Sequence, residues 1–511
     1  MLRTWRILNE LMDRKQREPL DEKLKQNFQT NDLYTLANRF NSNFIQQISD
    51  LKLKNSGPPL DVRMMDYQPP NRTSSFYLRP ATEKDVRWIL RGMKKTGCCL
   101  EGVRNKDIIE NSSILVPVLT NMINTMIKKA DIPQKLKISC ITPLHKNKGP
   151  VDVLGQYRPV GTLPLAEKVL EKHLNIQTNN YLHDNNILPN FQHGFQGGKS
   201  TITLLQETAD QVNTALDQRK CVIILLLDLT SAFDTLEHDL LMRKFKEVGM
   251  SHPIFQNYLT NRTQVTRLGS YVSSEEEANK GLIQGAGNSP TWFNLYTYDV
   301  QYVARRTTLR MFADDSCLLS VHKDVTSAVN NIQTDFINLQ KYLYNNNIFI
   351  NEKKTEALAL GYMCKREDMT DLRIICHTRQ CLADKTYETN CQCTKIEYKQ
   401  TVKYLGVTLD NEFKMNHHVG TINKKLRILQ YKLRKINADQ FPMTVKRTIY
   451  FSLIDSVLRY GVTLYKHAPQ YALEPLLKSQ KKIRKLLFQQ QNIPILMPHQ
   501  LADYVHLSMN F

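Results

Sequence analysis

Leu309-Arg310-Met311-Phe312-Ala313-Asp314-Asp315-Ser316-Cys317-Leu318-Leu319 sets two adjacent aspartates inside an apolar run. The flanking apolar residues predict two short strands, near 308–313 and 316–320, joined by a turn that carries the carboxylates. Charge at the tip of a buried hairpin is costly to desolvate unless something compensates it. A third aspartate, Asp228, ends an apolar run that starts at Cys221. That run is continuously apolar and predicts a strand buried on both faces. Clustered carboxylates are most readily partnered by a divalent cation. Mg²⁺ takes hard oxygen ligands, usually one or two carboxylates plus substrate phosphates. Two such ions about 3.5–4 Å apart stabilise both the attacking and the leaving oxygen of an in-line phosphoryl displacement. The pattern implies nucleotidyl transfer.

The wider composition agrees with a phosphate-rich partner. The 511 residues include 69 Lys/Arg and 49 Asp/Glu, a formal net charge of +20. The excess is concentrated: residues 411–490 hold 16 Lys/Arg and 4 Asp/Glu. Such a stripe is the electrostatic footprint of phosphate-backbone binding, although a solvated basic face is the plainer reading. The length allows about three domains or one multi-lobed enzyme. The residues after Met1 lack the apolar core of a signal peptide. Cys221–Leu227, the longest purely apolar run, is far too short to span a bilayer, so no membrane partner is expected. Ten cysteines without a signal predict reduced thiols and an intracellular protein, in nucleus or cytoplasm.

Along the chain, residues 1–75 read as a helical extension and linker, punctuated by Ser56-Gly57-Pro58-Pro59 and Gln68-Pro69-Pro70. Helical patterns fill most of 82–130 and recur at 162–182, 199–218 and 323–345. Ile138–Thr142 predicts a strand. Ile348–Ile350 and Ala357–Leu360 predict a further strand pair, followed by an irregular insertion over 361–395. After 411, Ile422, Leu426, Leu429, Leu433 and Ile436 form one apolar helical stripe, and Val445, Ile449, Leu453 and Val457 a second.

Strand, carboxylate, then helix is the arrangement needed at Asp228-Leu229-Thr230-Ser231-Ala232-Phe233-Asp234, where metal and triphosphate approach a strand's end. Together with Phe312-Ala313-Asp314-Asp315, this segment closely resembles the reverse transcriptases of non-LTR (LINE-like) retrotransposons. Seven blocks run in the family's order over roughly 76–465. Lys146 and Tyr157-Arg158-Pro159 resemble the fingers blocks, and Gln192-His193-Gly194-Phe195 through Lys199-Ser200-Thr201 the joint after them. Asp228 to Asp234 resembles motif A, Gly281–Gly285 through Ser289-Pro290 motif B, and Phe312–Asp315 motif C. Asn351–Glu356 resembles motif D, and Tyr404-Leu405-Gly406-Val407 motif E.

The resemblance implies an α+β right hand, with fingers and palm over 76–410, an antiparallel palm sheet, and a basic helical thumb and tail over 411–511. It implies RNA-directed DNA polymerisation from RNA template, DNA primer and dNTPs, with two Mg²⁺ ions that Mn²⁺ can replace. Asp228, Asp314 and Asp315 would hold the metals. Lys354 would act as general acid toward pyrophosphate, and Arg158 and Lys146 would grip phosphate. Phe233 would lie under the sugar and exclude a 2′-hydroxyl, and Gln284 would meet the nascent base pair. Phe312 stands where the family usually has Tyr, and Gln196 where a basic residue is common. The family usually places an endonuclease ahead of the polymerase. Trp5-Arg6-Ile7-Leu8-Asn9 resembles the region connecting the two, which reads either as a truncated copy or as a reading frame begun at an internal methionine, with target cutting supplied by another chain.

Two rivals stand beside this reading. One is a catalytically inactive remnant that still binds nucleic acid through its basic thumb. The other is an RNA-dependent RNA polymerase, against which Phe233 and the motif D and E blocks argue. In the insertion, Cys364, Cys376, His377, Cys381, Cys391 and Cys393 do not reproduce paired Cys-x2–4-Cys zinc spacing. They read as reduced thiols on a long hairpin leading to motif E. His417 and His418 read as phosphate-facing or capping.

Overall fold

The computed structural model describes residues 9, 19–64, 75–95, 102–366, 369, 372–388, 391–435 and 441–488. Trp5–Leu8, Gln68–Pro70, Cys98, Cys99 and Ile436 lie outside them. Strands β1 (Ile138–His145) and β2 (Tyr157–Thr162) pair antiparallel. Next come β3 (Cys221–Leu227) and β4 (Leu229–Thr230), with Asp228 between them. Strand β5 (Thr263–Leu268) returns parallel to β1 and carries β6 (Tyr271–Val272) and β7 (Glu276–Glu277), completing a five-stranded fingers sheet. Sequence reading missed β5: Thr263-Gln264-Val265-Thr266-Arg267-Leu268 has no apolar face strong enough to announce itself.

The palm sheet adds β8 (Thr308–Phe312), β9 (Asp315–His322) and, after β10 (Phe349–Ile350), β11 (Glu356–Leu360). Its order is β11-β3-β9-β8, antiparallel throughout. Strands β10 and β11 do not pair with each other as expected. Instead β10 pairs with β4, and β11 with β3. Short apolar runs announce strands but not partners, and here the completely buried β3 takes the neighbour that covers its long edge.

Strand β3 is buried along its whole length because its two faces enter different cores. Cys221, Ile223, Leu225 and Leu227 pack into the larger core with the Val325–Asn345 helix. Val222, Ile224 and Leu226 pack with the Thr201–Asp217 helix and with thumb residues Ile422, Leu426 and Leu433. The palm sheet is therefore a central layer, in keeping with an α+β fold.

A third core joins the amino-terminal helices, Leu20–Phe28 and Leu33–Lys54, to the fingers sheet through Leu24, Leu36, Phe40, Ile141, Tyr157 and Leu268. The Phe40 and Tyr157 rings meet edge to face, 5.0 Å apart. The insertion is more ordered than expected. Strands β12 (Ile374–Cys376) and β13 (Thr394–Ile396) pair antiparallel, and a short helix, Arg379–Ala383, sits between them.

Strands β14 (Thr401–Tyr404) and β15 (Val407–Asp410) form a hairpin whose turn residues, Leu405 and Gly406, both have positive φ. Helix Asn416–Lys435 follows, burying Ile422, Leu426 and Leu433 and exposing Lys424, Lys425, Arg427, Arg434 and Lys435. In the second stripe the burial is not at four-residue spacing. It passes from Ile449 to Ile454 and Leu458, because Tyr450–Asp455 winds as a π-helix between two α-helical turns. No helix among the described residues is long and apolar enough to cross a membrane.

Candidate active site

Asp228 follows the last residue of β3, and its backbone carbonyl accepts from Asn351 N–H at 2.7 Å. The pairing Leu227↔Ser316, continued by one residue, sets Asp228 opposite Asp315. Asp314 and Asp315 occupy the β8–β9 turn, where Phe312 pairs with Asp315 across Ala313-Asp314. Burial over the palm raises the Asp314 carboxyl above its ordinary value, and Asp228 adds to the rise while Arg158 opposes it. Burial, then Asp314 and Asp228, push Asp315 up to about 6. Three carboxylates thus gather at one end of the sheet, and the charges of their neighbours add to what burial does to Asp314 and Asp315.

The turn is clamped from outside by a residue that sequence reading placed only in a joint. Gln192 is completely buried, and its Oε1 accepts from Ala313 N–H and Gly194 N–H, both at 2.8 Å. Its Nε2 donates to the Ala313 carbonyl at 3.3 Å. Ala313 has φ +56, a left-handed conformation that costs an L-residue roughly 1–2 kcal/mol. Those bonds, and the main-chain bonds His193 N–H to Met311 O (2.7 Å) and Met311 N–H to Phe191 O (2.8 Å), hold it there. A Cβ on Gly194 would lie 2.4 Å from Ala313 N, so only glycine lets the joint approach this closely. An amide flanked by aromatic residues and glycine was the available signal, but its partner lies 121 residues away.

The expected cations gather on the same side. Lys354 Nζ lies 3.5 Å from Asp228 Oδ2, on a turn held by Lys354 N–H and Thr355 N–H donating to Asn351 O. Tyr157 turns into the amino-terminal core, so its neighbour Arg158 projects from the opposite face of β2 and is exposed. Lys146 donates to Gly155 O at 2.8 Å. Burial lowers its pKa, and the nearby charges of Arg158 and Lys354 lower it further. Phe233 is half-buried, stacked on Phe293 at 4.6 Å and edge-on to Phe195 at 6.4 Å.

Gln284 is held by a neighbouring carboxylate. Its Nε2 donates to both carboxylate oxygens of Asp234, at 2.7 and 2.8 Å. Asp234 is enclosed, and burial raises its pKa to about 6 although Gln284 and Lys146 pull it down. The motif B loop is anchored from the fingers. Gly161 N–H donates to Gln284 O (2.7 Å), Asn288 N–H to Glu171 Oε1 (3.1 Å) and Asn175 Nδ2 to Gly287 O (3.0 Å). Gly285, at φ +108, passes so close to β2 that a Cβ would meet Gly161 O at 2.8 Å. His418 is not phosphate-facing: it is buried, burial lowers its pKa to about 4, and its Nδ1 accepts from Thr408 N–H at 3.4 Å.

Three carboxylates of hard oxygen, mutually repelling and open to solvent at the sheet's end, suit divalent cations of the Mg²⁺ kind. Comparison with known proteins points the same way. Residues 144–409 match the family described as reverse transcriptase (RNA-dependent DNA polymerase). The chain is 25% identical over 378 residues to the probable RNA-directed DNA polymerase from transposon X-element of Drosophila melanogaster, covering 72% of this chain and 39% of that relative. It is 23% identical to the corresponding protein of transposon BS from the same fly, covering 67% and 37%. It is also 23% identical to the RNA-directed DNA polymerase from mobile element jockey, covering 72% and 40%. The chain spans about two fifths of the length of these relatives.

Proposed function

This chain belongs to the reverse transcriptase (RNA-dependent DNA polymerase) family, and from that premise we propose that it extends a DNA primer on an RNA template for a non-LTR retrotransposon. The observation that carries the reading is the placing of Asp228 at the end of β3, opposite Asp315 and the Asp314 turn. There burial first, and then the neighbouring carboxylates, raise the pKa of Asp314 and Asp315. Asp228 and Asp314, supported by Asp315, would hold two Mg²⁺ ions. When bound, such ions supply charge neutralisation to the attacking 3′-oxygen and the leaving triphosphate oxygens.

The chain's own residues account for the remaining needs of the reaction. Lys354, within ion-pair reach of Asp228, holds a proton at Nζ for the departing pyrophosphate. Arg158 presents an exposed planar guanidinium whose charge reaches Asp314, suited to bidentate phosphate contact. Phe233, braced by Phe293, offers a rigid ring edge under the sugar and disfavours a 2′-hydroxyl. Gln284 acts on the base pair through the motif B loop, oriented by Asp234. The exposed basic face of Asn416–Lys435, with Tyr431 among its cations, grips the duplex backbone by shape and charge. In this reading the chain works inside the cell, in nucleus or cytoplasm.

DNA synthesis on oligo(dT)-primed poly(rA) with Mg²⁺, comparing wild type and Asp314→Ala, tests this. Incorporation by the wild type alone supports the reading. Retained synthesis in Asp314→Ala removes the metal assignment, and silence from both proteins with duplex binding intact favours the inactive remnant.

A further inference from the structure

The insertion between motifs D and E gathers four side chains that the polymerase reaction does not use. His377, Cys381, Cys391 and Cys393 each point one ligand atom inward, and those atoms all lie within 4.8 Å of one another. His377 and Cys381 are buried, and Cys391 and Cys393 half-buried. We infer that these four residues form a structural zinc site.

Local structure explains why they meet. Thr378 caps the Arg379–Ala383 helix, its side chain accepting from Cys381 N–H, and this first turn brings Cys381 back beside His377, which precedes the cap. Cys391 and Cys393 are two residues apart on the extended lead into β13, so they also share a side. The β12–β13 register pairs Cys376 with Thr394. One residue further it sets Cys393 opposite His377, and the short helix brings Cys381 back over them. The ligand pattern is His-x3-Cys-x9-Cys-x-Cys. It escapes a search for Cys-x2–4-Cys because one pair joins a helical cysteine to a histidine ahead of the helix, and the other is only two residues apart.

Metal geometry fits the spacing. Zinc–sulfur bonds of about 2.3 Å and zinc–nitrogen bonds of about 2.0–2.1 Å at tetrahedral angles place nitrogen and sulfur about 3.6 Å apart. His377 Nδ1 lies 3.5 Å from Cys381 Sγ and 3.4 Å from Cys391 Sγ. The other ring nitrogen faces away, 3.0 Å from the Gln333 amide nitrogen. Three thiolates and one imidazole complete a tetrahedron from protein alone, which is the signature of a structural rather than a catalytic site. The soft donor set excludes Mg²⁺ and Ca²⁺.

The site's place in the fold gives it a purpose. Between His377 and Cys381, Arg379 donates to Gly57 O (2.8 Å), Pro58 O (2.7 Å) and Tyr344 O (3.1 Å). Beside Cys393, Thr394 Oγ1 donates to Glu352 Oε2 at 2.7 Å, in the turn that carries Lys354. A zinc ion here would staple the insertion's helix to its hairpin. It would thereby tie the 57–58 segment, the Val325–Asn345 helix and the Lys354 turn into one unit.

The test is the metal content of the full chain, purified from cells grown with zinc and read by mass spectrometry. Wild type is expected to carry about one zinc per chain. The double substitution Cys381→Ser/Cys391→Ser should lose it by at least about tenfold, whereas Cys364→Ser, outside the cluster, should retain it. Cobalt exchanged into the wild type should give thiolate charge-transfer absorption and the intense visible bands of a tetrahedral site, so the test survives a double variant that fails to fold. A wild type that binds neither zinc nor cobalt, or whose cysteines prove to be joined in disulfides, overturns the inference. So does zinc that persists at full occupancy in the folded double variant.

Discussion

The Asp228–Asp314–Asp315 group and the His377–Cys381–Cys391–Cys393 group differ in nearly every property that governs a cation. The first is all hard oxygen, sits at the open end of a sheet, and is electrostatically uncomfortable until something binds. The second is soft, folded into its own small hairpin, and its ligands come from one short stretch of chain. An open, frustrated set suits ions that share their coordination with a substrate. A closed, self-sufficient set suits an ion that never leaves. Each region should therefore be able to fail while the other stays intact.

The severest way to break that contrast is Asp314→Ala. Synthesis is expected to fall by more than about a thousandfold, because several kcal/mol of transition-state charge stabilisation goes with the metal. Zinc content should stay at the wild-type level. A drop in bound zinc would mean that the two regions are coupled. Next is Phe233→Ala, where discrimination against ribonucleotides should shrink by roughly 10–100-fold, in keeping with the loss of one steric contact. Competitive single-nucleotide incorporation reads it, and unchanged selectivity would return Phe233 to plain packing against Phe293.

Gln192→Ala leaves every carboxylate in place but removes the clamp on Ala313. With bonds worth about 1 kcal/mol each in play, kcat should fall by roughly tenfold while the KM for dNTP stays near the wild-type value. A KM effect alone would show that the clamp does not position the hairpin. Loss of the zinc ligands in Cys381→Ser/Cys391→Ser should act mainly on stability. The unfolding midpoint is expected to drop by roughly 5 °C, with primer extension persisting below it. Abolished synthesis in a folded, zinc-free protein would erase the distinction drawn above.

The effect furthest from catalysis concerns pH. Asp234 has its pKa raised to about 6, above the ordinary 3.8, so between those values the folded chain binds this proton more tightly than the unfolded chain. Its contribution to stability is full below the lower value and declines as pH rises through the higher one. Asp234→Asn should remove that part of the decline, worth at most about 3 kcal/mol. Urea midpoints of the two proteins at pH 4 and pH 7 read it, and parallel pH profiles would refute the assignment.

How far each region could be read from sequence follows from how it is built. Asp228 and Asp314 end or interrupt long apolar runs, and a charge in such a run stands out in one dimension. Strand β3 was equally plain, since seven consecutive buried residues cannot be a surface element. Gln192 and the Gln284–Asp234 pair were opaque, because an amide has no periodicity and its partner is fixed only once the chain closes. The exchange of partners by β10 and β11, and the burial of His418, failed for the same reason: both are decided by what packs against them. In the insertion a hairpin was anticipated and β12 and β13 form one, but the ligand spacing stayed hidden because it matches no paired Cys-x2–4-Cys pattern.

The π turn at Tyr450–Asp455 bears on how this chain tolerates changes in length. It is a helix holding one residue more than α winding needs. Deleting exposed Ser452 would let the segment relax to an α-helix, with Ile449 and the former Ile454 falling four apart on the same buried face. A deletion inside Gln470–Phe488 has no such slack. It would swing everything beyond it by about 100° and turn basic residues toward Ile483 and Leu487. The thumb thus contains a built-in expansion joint, and insertions or deletions among this protein's kin are expected to collect there.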